Sequence, residues 1–392
     1  IYPREKLGMA SAMFGMGVIL GPTLGPLFGG YLIDHFTWPV IFYVNVPFGI
    51  LATFLTIRFI RNNPHQQKSN DGIDWLGMAL LIAGVGGMQL FLEQGENEDW
   101  FDSKYILFVF IVSVCSLIGL VYRELRVKNP IVDFRVLRKG NVSVGVTMSF
   151  ILGFVLFGTV FIIPIYMQRF LGFTAQQTGG LFTPGALLTG LCMPIVGMSL
   201  QKGAPPKTLI TAGFIITAIF VFWCSRIITP ATAAEEFFWP LMLRGLGMGL
   251  LFVPLTNLLL GGLQGRDIAS ASGLSSMIRQ IGGSISVALI GVVSDRLSAQ
   301  HKADLLTQVS NYNPNATERI NSLTGAFQRG SSDIATAGKQ AYTVIDGMMF
   351  KQAYILTYIN IFQYMALFVL CIVPLIIFTK TYKGKVAADA AH

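Results

Sequence analysis

Two arginines, Arg244 and Arg279, stand well inside long apolar runs, with no acidic residue in either run. A guanidinium at the centre of a bilayer costs ~2.5–3.5 kcal/mol on insertion scales, so it needs a partner or a wet cavity. It has two uses there. It can tune an acid on another helix and hold two helices in register, or it can clamp helix-end carbonyls. Gln280, beside Arg279, belongs with the arginines as a coupling candidate, and polar amides on otherwise apolar runs are the second set: Asn45, Gln89, Gln168, Gln176, Asn257, Asn360 and Gln363. Each serves a helix–helix hydrogen bond or a ligand contact. Phe150, Phe154, Phe157, Phe161 and Tyr166 follow at roughly helical spacing. They read as packing, or as an aromatic wall for flat, cationic or lipophilic molecules.

Enzyme chemistry finds no footing. There is no Gly-Lys-Ser/Thr phosphate loop, so ATP is not the expected energy source, and no cofactor is expected. His35, His65, His301 and His392 are scattered over loops and a terminus. Cys115, Cys192, Cys224 and Cys371 all fall in apolar runs, without metal-ligand or disulfide spacing, and are expected to be buried.

The elements that carry these residues follow from composition. The chain has 392 residues, 53% hydrophobic and 12% charged, with mean hydropathy +0.61. A soluble domain carries roughly 25% charged residues. The composition excludes a secreted disulfide scaffold, a disordered chain and an ordinary cytosolic enzyme. An all-α, polytopic membrane protein remains, because each bilayer-spanning helix satisfies its own backbone. Ten apolar runs are long enough to cross: 9–33, 37–57, 75–93, 105–122, 143–167, 177–200, 208–227, 238–262, 269–294 and 353–379.

The net charge of +8 is a topology signal, not a sign of nucleic acid binding. With residue 1 inside, the inner segments hold 17 Lys and Arg, whereas the short outer loops hold only Lys104, Arg169 and Arg226. The outer loop 94–104 is acidic. Both ends are therefore expected in the cytoplasm. Segment 295–352 is expected as a long extracytoplasmic loop, with a short amphipathic helix around Ile320, Leu323 and Phe327.

A shift of 261 residues lays the first run on the ninth: Ala10 on Ala271, Ser11 on Ser272, Gly21 on Gly282, Gly30 on Gly291, Asp34 on Asp295. If the halves are duplicated, their helix counts should agree. Six spans follow Asn141, but only two precede the pair 75–93 and 105–122, so four more are expected ahead of Ile1. The domain reading is 1–60 for the last two helices of a first bundle, 61–140 for two linker helices, and 141–392 for a six-helix second bundle. Asp34 and Asp295 end their spans and read as terminal charges rather than proton carriers.

The first run contains Gly17, then Gly21-Pro22-x-x-Gly25-Pro26-x-x-Gly29-Gly30. Glycines four apart let helices approach closely, and the prolines bend the run. The full pattern resembles the antiporter motif of major facilitator drug exporters. Trp38 through Gly49, Asp74-Trp75-Leu76-Gly77 and Asn129-Pro130-Ile131-Val132-Asp133 resemble further segments of the same family. Arg244-Gly245-x-Gly247-x-Gly249 and Arg279-Gln280-x-Gly282-Gly283 resemble two more. Over essentially its whole length the chain resembles the fourteen-helix drug:proton antiporters of the major facilitator superfamily, of the EmrB/QacA type.

That resemblance implies two six-helix bundles plus two extra helices, with the substrate site at the midplane between the bundles. It implies export of lipophilic or cationic toxic compounds across a bacterial inner membrane, driven by a proton gradient. It places the main coupling acid on a helix ahead of Ile1. It permits, without establishing, a periplasmic adaptor and an outer-membrane channel as partners. The expected contacts are drugs, protons and membrane lipid. Two alternatives share much of the evidence: a major facilitator exporter of a siderophore, lipid or metabolite, and a non-transporting membrane receptor or scaffold.

Overall fold

The computed structural model describes residues 25, 27–59, 74–127, 130–139, 141–263, 266–309, 313–330 and 333–374. Among them every regular element is helical, and nine helical segments are long and apolar enough to cross a membrane. Most of the first expected span, 9–33, lies outside the described residues, as do Gly17, Gly21, Pro22 and Pro26 of its motif. Its C-terminal end is helical over 27–35, here α1. The second span breaks at Val44 into α2 (Val40–Tyr43) and α3 (Asn45–Phe59).

Six helices form the second bundle: α7 (Val142–Phe170), α8 (Ala175–Gln201), α9 (Pro206–Ile227), α10 (Phe238–Leu260), α11 (Arg266–Gln308) and α13 (Ile334–Ile372). They close a ring. α10 packs on α8 and α9, α13 on α9 and α11, and α11 on α7, which returns to α8 and α10. Lipid tails are as apolar as leucine, so close backbone approach rather than the hydrophobic effect holds such a ring. The glycines provide it. A Cβ at Gly153 would overlap the Arg279 carbonyl, and one at Gly282 the Phe150 carbonyl, which fuses α7 to α11. Buried Ser149 and Ser275 share a 2.7 Å hydrogen bond across the same seam. Inside the spans, several hydroxyls return their protons to the helix's own carbonyls, as Thr159 does to Val155 and Thr357 to Ala353, each at 2.8 Å.

The linker pair is a hairpin. α4 (Trp75–Leu81) and α5 (Gly87–Gln94) flank a π-helical stretch, Ile82–Gly86, and pack on α6 (Lys104–Glu124). The wide turn frees the Gly84 carbonyl, and Ser113 of α6 donates to it at 2.6 Å. At the hairpin base Asp74 caps α4 through the Gly77 amide at 2.8 Å and takes Arg123 at 2.8 Å. The Arg123 guanidinium holds the Asp74 carboxyl below its ordinary range. The far end of the hairpin rests on α11 through α5.

Two expectations need correction. Segment 295–352 is not a loop interrupted by one short helix. α11 runs on to Gln308, α12 (Pro314–Arg329) folds back on α13, and α13 begins at Ile334. The polar composition marks the water boundary, but it does not stop a helix whose backbone is already satisfied. The cysteines are not all buried: Cys224 is, while Cys115 and Cys371 face outward. In a bilayer the outer surface is apolar too, so an apolar run does not say which side of it is covered.

Candidate functional site

The Arg244 motif lies along α10, and each of its glycines meets a different neighbour. A Cβ at Gly245 would overlap the Gly185 carbonyl of α8. At Gly247 it would lie 2.6 Å from Thr217 Oγ1 of α9, and at Gly249 2.7 Å from Cys192 Cβ of α8. α10 is thereby wedged between α8 and α9, and Arg244 is aimed across the bundle. Its Nε donates to Thr159 Oγ1 of α7 at 3.4 Å, and its guanidinium sits 5.4 Å from the Phe182 ring of α8. Arg279 of α11 lies 5.7 Å from the Phe252 ring of α10 and donates to Ser276 at 3.4 Å. Among the described residues the ion pairs are Arg123–Asp74, Lys139–Asp267 and Lys302–Asp346, so neither intramembrane arginine is paired with an acid there. Both face rings instead, which lowers the cost of a weakly hydrated cation in an apolar surround.

The remaining sequence candidates divide. Phe154 and Phe157 are half-buried on α7, and Phe157 abuts Gly283 of α11. The Phe154 ring lies 4.9 Å from that of Phe368 of α13, tilted by 48°. Tyr166 is core: it is 1% exposed and donates to the Thr229 carbonyl at 2.6 Å. Asn360 meets His301 at 3.0 Å, and Gln363 is half-buried on the same helix. Asn45 donates to the Ile41 carbonyl of the turn before it, at 3.3 Å. Gln168, Asn257 and Gln280 are exposed. The structure does not gather these amides into one pocket with the arginines.

At the first bundle's edge, Gly30 is the motif glycine in contact: a Cβ there would overlap the Ala175 carbonyl at the start of α8. Gly25 and Gly29 have nothing near them among the described residues. One turn on, Asp34 accepts from the Gln176 backbone N–H at 2.8 Å, and that bond holds its carboxyl below the ordinary range. The repeat-related pair behaves alike. Gly291 admits the Glu96 carboxyl of the linker hairpin, and Asp295, one turn on, lines the same cavity as Glu96.

That contact rims a cavity of about 590 Å³ between the hairpin, α7, α11 and α13. Phe161, Ile162, Val287 and Tyr358 line its wall, and Glu93, Glu96, Arg169 and Asp295 bring charge to it. Of the sequence-derived site residues only Phe161 reaches it. Sequence names Asp295 only as a terminal charge repeat-related to Asp34 and does not single out Glu96, because each stands at a span end, where water ordinarily solvates a carboxylate. The acidic cluster in 94–104 is the available signal, but only the fold sets it against α11.

Comparison with known proteins agrees with this architecture. The profile of the Major Facilitator Superfamily matches residues 1–287. The chain belongs to the major facilitator superfamily. It is 31% identical over 324 residues to the multidrug export protein EmrB of Escherichia coli K12, covering 83% of this chain and 63% of that protein. EmrB of Haemophilus influenzae is 33% identical, covering 80% and 61%. The fatty acid resistance protein FarB of Neisseria gonorrhoeae is 28% identical, covering 97% and 73%. The chain thus spans less than two thirds of the EmrB proteins it matches. The fold resembles a bacterial homologue of the human lysosomal transporter Spinster, crystallised inward-facing and occupied, with TM-score 0.50 at 15% identity, over 97% of this chain and 71% of that one. As a major facilitator protein, this chain has the multi-pass helical architecture that its composition required.

Proposed function

We propose that this protein exports lipophilic toxic compounds across a bacterial cytoplasmic membrane in exchange for protons, by rocking two helical bundles about a midplane site. The observation that carries the reading is the pair of arginines held inside the second bundle over aromatic rings, in a chain about 30% identical to multidrug exporters. Aromatic faces suit flat lipophilic molecules, and a guanidinium with no acid partner among the described residues suits any anionic group they carry. The contact of Gly30 and Asp34 with α8 ties the first bundle to the second at one end, as alternating access requires of a closed gate. In this reading the C-terminus is cytoplasmic, the proton gradient is the energy source, no cofactor takes part, and an adaptor and outer-membrane channel receive the product.

A second reading has its own support. The fatty acid resistance protein matches 97% of this chain, and intramembrane arginines with no acid partner among the described residues fit a lipid carboxylate. One experiment addresses both. Inverted vesicles holding the full-length protein are given an acid-inside gradient, with a lipophilic cationic dye, a lipophilic weak acid and a long-chain fatty acid as substrates. Gradient-dependent uptake of the first two supports multidrug export, whereas uptake confined to the fatty acid supports the second reading. Uptake of none under a verified gradient rejects both in favour of a receptor or scaffold.

A further inference from the structure

Glu96 and Asp295 come from different parts of the chain, one at the tip of the linker hairpin and one on α11. The Glu96 carboxyl rests on Gly291 of α11, one turn before Asp295, and both acids line the same cavity. Two carboxylates are both acceptors, so they bond only with a proton between them. The contact is built rather than incidental. Glu96 fills a notch that exists because residue 291 is glycine; a Cβ there would overlap its Oε2. A second polar join, Ser284 Oγ donating to Gln89 Oε1 at 2.5 Å, ties the same two elements and does not titrate in the neutral range.

The surroundings favour the neutral form. Burial first, and then Asp295, push Glu96 from 4.5 up to about 7. The charged and titratable groups facing the pair are Glu93 of α5, Arg169 of α7, and Tyr354 and Tyr358 of α13. Tyr354 donates to Asp295 Oδ1 at 3.5 Å, and Arg169 lies 5.6 Å from the Tyr354 ring, turned toward aromatic faces. The cavity of about 590 Å³ beside the pair is large enough for water that carries the proton in and out.

We propose that Glu96 and Asp295 form a proton-binding site whose single shared proton fastens the linker hairpin to α11. When the proton leaves, it passes to water, the O–H···O bond is lost, and two carboxylates face each other. Their repulsion frees this end of the hairpin. The proposal goes beyond the export reading and holds whichever compound is carried.

The test uses the full chain in liposomes, with its native cysteines replaced and spin labels at Asp99→Cys and Gln300→Cys, both exposed sites. Electron resonance should find one short distance at ~pH 5.5, and a growing longer-distance population by ~pH 8.5, on either side of the Glu96 value of about 7. Glu96→Gln should keep the short distance throughout, because the amide donates to Asp295 without a shared proton. In the unmutated chain, infrared difference spectra should show a protonated-carboxyl band that titrates in the same window. Asp295→Asn should move that titration to lower pH, because it removes the neighbouring acid and offers Glu96 an amide donor. A pH-invariant distance in the unmutated protein, a shift that persists in Glu96→Gln, or no titrating carboxyl band would each overturn the site. None of these readouts requires export, so failure of the export reading leaves the test intact.

Discussion

Arg244 and Arg279 show how one side chain's geometry decides what a membrane-buried charge can do. Each guanidinium lies face-near to a ring from a neighbouring helix, Phe182 or Phe252. A planar, weakly hydrated cation tolerates that position better than an ammonium does. Arg244→Lys keeps the charge but loses the planar contact, worth ~1–2 kcal/mol when desolvated. Transport should then fall roughly tenfold with membrane abundance unchanged, measured as initial uptake into inverted vesicles against immunoblot signal. Arg279→Ala should remove gradient-dependent uptake altogether, and retention of normal drug resistance would reject its role. Both positions were legible in the sequence as lone charges in apolar runs. Their ring partners were not, since Phe182 and Phe252 lie on other helices, with nothing in their spacing to single them out.

Helix seams carry the next scale. Gly245 and Gly185 let α10 and α8 touch backbone to backbone, whereas a methyl group added at Gly197, also on α8, would meet nothing within 4 Å. The same substitution should therefore act with opposite sign. Gly245→Ala should destabilise by about 1–3 kcal/mol through overpacking. Gly197→Ala should stabilise by about 0.5–1 kcal/mol through helix propensity. Melting temperatures of the detergent-solubilised variants check the contrast. At the antiporter motif, Gly30→Leu should pry α1 from the start of α8 and raise passive proton leak, read from the decay of an imposed gradient in vesicles. Unaltered leak would show that the Ala175 contact does not seal. The motif itself was plain in the sequence, but which of its glycines carries a contact depends on where α8 begins.

Across the whole molecule, the linker hairpin meets α11 through the Glu96 carboxyl at Gly291 and through the neutral Ser284–Gln89 bond, among other contacts. An acid whose docked-state value is raised stabilises docking fully below its ordinary range of about 4.5, and that contribution is lost as pH rises through about 7. Hydrogen exchange of the exposed hairpin tip around Asp99 should accordingly accelerate from acidic to mildly alkaline pH after correction for intrinsic rates. Glu96→Gln should flatten that dependence, and an equal acceleration in both proteins would exclude the carboxyl pair as its cause.

The multi-pass helical architecture and the superfamily resemblance were readable from residue order, because hydrophobic length is a local quantity that a bilayer acts on directly. Helical continuation of α11 and α13 beyond the apolar boundary was not, since a helix satisfies its backbone as well in water as in lipid. The Glu96–Asp295 pair was still less accessible. It joins a hairpin loop to a helix nearly two hundred positions away, a distance taken from their numbers in the chain. Only folding brings those two carboxyls within reach of a single proton.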